Sequence, residues 1–152
     1  KRLKFSKKHG ASHFLNFKGN FKELRNRIFK ILKDKPLDFF IDTTGDTKVI
    51  EFGLKIINPK KGNLVLAGVQ KKDKKISFNT LQLLLGKKII GSHGGNCKPH
   101  IDIHKINQSF KKNNIKVKNF YTKTYSLDKI NKAISDMKNG KLSGRCLIKM
   151  HS

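Results

Sequence analysis

The sequence predicts an α/β fold in which a parallel sheet is flanked by helices. Strand-like segments alternate with amphipathic helices of about ten residues or more. Asn63–Val69 (NLVLAGV) is a near-continuous apolar run, the pattern of a strand buried on both faces of a parallel sheet. The helical segments stop at turn and breaker residues, among them Gly10, Pro36, Asn58-Pro59 and Asn139-Gly140.

Taken in order, residues 2–9 read as the last turns of a helix closed by Gly10, and His13–Phe17 (HFLNF) reads as a short strand. Asn20 opens a helix with Glu23 three residues on, a capping-box-like spacing. Phe21, Leu24, Ile28, Ile31 and Leu32 form its apolar stripe. Leu37–Asp42 (LDFFID) is the next strand, and it runs into Thr43-Thr44-Gly45. Thr47–Ile57 is helical, with Val49, Ile50, Leu54 and Ile57 directed inward.

After the apolar strand, Gln70–Lys75 is a polar loop whose lysines make it the best local site for an anionic partner. A short helix around Thr80–Leu85 leads to a strand at Lys88–Ser92 and then His93-Gly94-Gly95. Ile101–Asn113 is a helix and Val117–Tyr125 an extended segment. Ser126 caps a helix with Leu127, Ile130, Ala133, Ile134 and Met137 inward, and Arg145–Met150 is a final strand.

The 152 residues carry a formal net charge of +25. Only Arg2, Arg25, Arg27 and Arg145 are arginine; the other basic residues are lysine, spread from end to end. Recognition of phosphates and base edges leans on the bidentate arginine fork, so the charge reads mainly as solvated faces in a lysine-, asparagine- and isoleucine-rich composition. A nucleic-acid-binding module is therefore the rival rather than the favoured reading. No apolar run approaches the roughly 20 residues that span a bilayer, and no apolar region of a secretory signal follows the charged N-terminus. Cys97 and Cys146 make no disulfide framework and fit a reducing cytoplasm. The chain opens at Lys1 rather than Met, directly in helix-forming sequence, as a piece of something longer would.

Five motifs in order say more than periodicity does: KKHGASHFLN, DFFIDTTG, GNLVLAGV, LLLGKKIIGS and YSLDKINKAISDMKNGKLSGRCLI. Together they resemble the C-terminal portion of zinc-type medium-chain alcohol dehydrogenases, over essentially the whole chain. The resemblance implies that residues 1–93 are part of a Rossmann domain and that 94–152 return to the catalytic domain. The Rossmann sheet would be incomplete, without its first strand. It implies an oxidoreductase that transfers a hydride between an alcohol or aldehyde and NAD or NADP, with a homodimeric or higher assembly.

By the same resemblance, Arg2 contacts the adenosine ribose, and Thr43, Thr44 and Gly45 line the adenine side. Ala67, Gly68 and Val69 pass beneath the nicotinamide ring. Ser92 and His93 lie near its carboxamide, where His93 is the one candidate for proton transfer. Arg145 approaches the pyrophosphate. The small residues fall at strand carboxyl ends, where doubly wound sheets bind cofactor.

What the chain lacks is equally informative. The G-x-G-x-x-G turn occurs nowhere in it, and the zinc ligands of the resembled family would lie upstream of Lys1. No residue here is assigned to a metal: Cys97, His100 and His104, with Asp102 among them, space like ligands but read as a polar helix start. The 152-residue segment alone is expected to be poorly folded and inactive. A non-catalytic, partner-binding relic is the reading that follows if the native chain begins at Lys1.

Overall fold

The computed structural model describes residues 2–116 and 120–150, with Arg2 by its backbone alone. The chain forms two compact units, Leu15–Cys97 and Lys1–Phe14 together with Lys98–Ser152.

The Leu15–Cys97 unit is built on three parallel strands in the order β1-β2-β3: β1 (Phe39–Asp42), β2 (Asn63–Leu66) and β3 (Lys88–Gly91). Phe39 pairs with Asn63 and Asp42 with Leu66; Asn63 in turn pairs with Lys88 and Leu66 with Gly91. A parallel sheet of this kind needs a helical crossover between successive strands. The first crossover is α3 (Thr47–Ile56), and the short α4 (Leu81–Leu84) lies in the second.

Helix α3 starts where the Asp46 carboxylate accepts from the amides of Lys48 and Val49, at 2.8 and 3.3 Å. Its buried face is Ile50, Phe52, Gly53, Leu54 and Ile56, so Phe52 and Ile56 join the inward set expected from the sequence. Ile50, Leu54, Ile57 and Leu64 form the core, and Phe40, Leu66 and Ile89 of the three strands pack on it. Burying a side chain such as Leu64, which has no exposed surface, contributes about 1.5–3 kcal/mol. The other sheet face is open: Phe39 and Ile41 are each more than 60% exposed.

Lys87 is buried in this unit, where its Nζ donates to the Leu54 carbonyl at 2.6 Å and to Gln82 Oε1 at 2.7 Å. Desolvation lowers the pKa of this ammonium.

Helix α2 (Phe21–Leu32) begins as expected: the Asn20 side chain accepts from the Glu23 amide at 3.0 Å. Glu23 itself pairs with Arg27, 3.8 Å away and one turn on. All five residues of its apolar stripe are half-buried. The helix ends with Lys33 and Asp34 both in the left-handed region, at φ of 52° and 57°.

The expected strand at His13–Phe17 does not form, and Phe14 and Phe17 stay exposed. A strand exists through its ladder, and among the described residues no neighbouring strand is in place to supply one.

In the other unit, α1 (Arg2–Lys8) and α5 (Pro99–Lys112) accompany a βαβ unit of β4 (Tyr121–Ser126), α6 (Ile130–Lys138) and β5 (Arg145–Lys149). The two strands are parallel, with a register irregularity between Tyr121 and Lys123. Val117, at the start of the expected extended segment, lies outside the described residues. Ser126 leads into a tight turn, Leu127–Lys129, without a side-chain cap. Of the inward stripe expected for α6, only Ala133 is buried; Ile130, Ile134 and Met137 are exposed. A two-stranded sheet is too narrow to cover the whole stripe, so the helix buries its middle alone.

Asp136 on α6 is buried and accepts from Tyr125 Oη at 2.8 Å, flanked by Lys123 and Lys141 Nζ at 3.4 and 3.3 Å. The Tyr125 hydroxyl and the two ammonium groups outweigh desolvation and hold the Asp136 carboxyl below its ordinary range.

Candidate functional site

The carboxyl ends of β1 and β2 are joined by one residue. Asp42 is 1% exposed. Its main-chain oxygen accepts from the amides of Ala67 and Gly68, both at 2.9 Å. One carboxylate oxygen accepts from the Thr44 amide at 3.0 Å and its hydroxyl at 2.6 Å, and the other from the Gly45 amide at 3.0 Å. Burial alone would raise this carboxyl's pKa. The Thr44 hydroxyl and the two amides outweigh it, and Asp42 lies below its ordinary value of 3.8.

The two strand ends therefore converge as bare backbone. A Cβ on Gly68 would stand 2.4 Å from the Gly45 nitrogen and 2.6 Å from the Thr44 nitrogen. One on Gly45, whose φ is +67°, would stand 2.2 Å from the Val69 oxygen. Both glycines are required by this mutual approach. Thr43, Thr44, Ala67 and Val69 are exposed around it, and Val69 stands 94% in solvent. Thr44, Gly45 and Val69 line a cavity of about 450 Å³ together with Asp46, Thr47, Lys48, Lys71 and Lys74.

The structure thus brings Thr43, Thr44, Gly45, Ala67, Gly68 and Val69 together. Ser92 lies at the end of the adjacent strand: its amide donates to the Leu66 carbonyl at 2.9 Å, and its hydroxyl accepts from the Gly95 amide at 3.2 Å. His93 follows it, exposed. Arg145 belongs to the other unit, where it lines a cavity of about 660 Å³ with Phe5, Phe120, Met137, Leu142, Ser143, Gly144 and Cys146. The side chain of Arg2 lies outside the described residues.

Sequence reasoning missed the part played by Asp42, which it treated as the last strand residue. The D-x-T-G spacing carries the signal, because an aspartate can accept from amides two and three residues on and so build the turn itself. The sequence marks the Gln70–Lys75 lysines; the convergence of two of them, Lys71 and Lys74, on the same cavity as Lys48 comes from the structure.

A ledge of small residues with an exposed apolar side chain fits a flat ring lying against backbone. Its fit to the phosphates of a dinucleotide is incomplete, since no glycine-rich turn accompanies it in the sequence. A metal ion is another matter. Among the described residues no group of three or more His, Cys, Asp or Glu could hold one.

The family model for zinc-binding dehydrogenases matches residues 1–112. The chain belongs to that family. Among curated relatives it is 28% identical over 149 residues to alcohol dehydrogenase 1 of Trifolium repens, covering 98% of this chain and 39% of the relative. It is also 28% identical over 142 residues to S-(hydroxymethyl)glutathione dehydrogenase of Saccharomyces cerevisiae, covering 92% of this chain and 37% of that protein. The crystal structure of benzyl alcohol dehydrogenase from Acinetobacter calcoaceticus superposes with a TM-score of 0.82 at 24% identity, over 98% of this chain and 40% of that one. This last likeness establishes the fold: a parallel sheet flanked by helices, as in the matching portion of that dehydrogenase. The chain spans about two fifths of the length of these family members. Among the described residues no helix is long and apolar enough to cross a membrane.

Proposed function

We propose that this chain is the C-terminal portion of an NAD(P)-dependent alcohol dehydrogenase that moves a hydride between an alcohol or aldehyde and the nicotinamide ring. The observation that supports this most directly is the ledge itself. Two successive strand ends are pinned together by Asp42 so that Thr43–Gly45 and Ala67–Val69 present backbone, small side chains and the exposed Val69. A flat heteroaromatic ring needs such a surface, because a bulkier side chain would hold it off the backbone.

In this reading residues 1–93 belong to the cofactor domain and 94–152 to the return into the catalytic domain. Thr43, Thr44 and Gly45 take the adenine side, and Ala67, Gly68 and Val69 the nicotinamide. Ser92 and His93 face the carboxamide, and Arg145 serves the pyrophosphate through its guanidinium fork. His93, exposed just after β3, is kept as the one candidate for proton transfer. Arg2 is kept for the adenosine ribose on the strength of the resemblance alone. The complete enzyme is read as a soluble, cytoplasmic homodimer or higher oligomer. Its zinc would be held by residues outside this segment, and no step is assigned here to a metal.

The segment by itself is read as inactive, for it contains neither a phosphate-seating glycine turn nor a metal-binding group among its described residues. The test is the native gene product, assayed for alcohol-dependent reduction of NAD+ and NADP+ beside the 152-residue chain. Reduction by the former and none by the latter supports the reading. A native product that binds neither cofactor overturns it.

A further inference from the structure

We propose that the cavity at the carboxyl ends of β1 and β2 is a phosphate-binding subsite, formed by the ammonium groups of Lys48, Lys71 and Lys74. Three observations meet there. First, the fold gathers cations from two separate segments: Lys48 comes from the first turn of α3, Lys71 and Lys74 from the loop after β2. That loop is set by its own bonds, the Lys74 amide donating to the Lys71 carbonyl at 3.1 Å and Gln70 Nε2 to the Lys74 carbonyl at 3.3 Å.

Second, the cations are uncompensated. None of the three forms an ion pair among the described residues, unlike Lys61, Lys105, Lys123 and Lys141, which do. Asp46 is the one carboxylate in the lining, and one of its oxygens is engaged by the Lys48 and Val49 amides. Asp73 stands in the loop but is not part of the lining. Third, a concave space of about 450 Å³ with three lysines in its lining is large enough for a phosphate and the group that carries it.

The ligand class is a phosphate monoester or dianion of similar size, which three point charges from different directions suit better than a monovalent carboxylate. Its source is either an extra phosphate on the nicotinamide cofactor or a phosphate on the substrate. This link to the crevice rests on the proposed function; the subsite itself does not.

The test is titration of the full chain with inorganic phosphate, followed by phosphorus NMR. We compare Lys71→Gln/Lys74→Gln with Lys111→Gln/Lys112→Gln, which removes the same charge from the end of α5. The first variant should bind phosphate about tenfold more weakly than wild type, the second should match wild type, and Lys71→Arg/Lys74→Arg should retain binding. Equal weakening in both glutamine variants, or no saturable binding by wild type, overturns the subsite. Competition then identifies the source: displacement of phosphate by NADP+ but not NAD+ assigns it to the cofactor. Phosphate binding that both cofactors leave intact supports a site for a substrate phosphate. If neither cofactor binds at all, the dehydrogenase reading fails while the phosphate result stands.

Discussion

The amide of Gly68 donates to the main-chain oxygen of Asp42 at 2.9 Å, and this bond ties the end of β2 to the end of β1. On the other side of the same aspartate, the carboxylate draws in Thr44 and Gly45. The ledge proposed to receive a cofactor ring is therefore a product of one buried side chain and two glycines.

Gly68→Ala should damage this junction, because the atoms its Cβ would meet are backbone nitrogens of Gly45 and Thr44 and cannot swing away. Urea denaturation should show a loss of about 1–3 kcal/mol, the usual cost of overpacking. An unchanged midpoint would mean that the two strand ends part without cost.

Asp42→Asn keeps the shape but turns an amino group toward donors that need an acceptor. A loss of about 2–3 kcal/mol at neutral pH is expected. The folded-state pKa lies below the unfolded one, so Asp42's contribution is complete above 3.8 and disappears as pH falls through the folded value. The wild-type advantage over the variant, read from melts at several pH values, should therefore shrink on acidification below 3.8. A gap that widens there would contradict the assignment.

Lys33 ends α2 at φ +52° without being glycine. Lys33→Gly should raise stability by about 1 kcal/mol by removing a Cβ from a left-handed conformation. Thermal melts of the pair would reveal it; a lowered midpoint would show that the lysine side chain matters more than the backbone geometry.

Tyr125→Phe removes the hydroxyl that contributes most to keeping the Asp136 carboxyl acidic. Carboxyl-resolved NMR titration should find Asp136 moved upward toward its ordinary value, with Lys123 and Lys141 still holding part of the depression. An unmoved titration would assign the shift to the lysines alone.

Much of this was legible without coordinates. The Asn20 cap, the half-buried stripe of α2 and the three parallel strands follow from residue periodicity and turn chemistry, which act over a few neighbours. His13–Phe17 shows where that reasoning stops. Its composition suits a strand, but strand formation depends on a partner's free amides and carbonyls, which local sequence cannot supply.

By itself, then, the sequence determined the fold class, the run of helices and strands between Asn20 and Ser92, the family, and the small residues at the strand ends. Tertiary structure alone decided that Asp42 joins those ends, that Lys87 is buried on neutral acceptors, and that Lys48 meets Lys71 and Lys74 around one cavity. The division has a physical reason. Periodicity and capping are written in contacts between near neighbours, whereas the Asp42 and lysine clusters exist because a parallel sheet sets successive strand ends side by side.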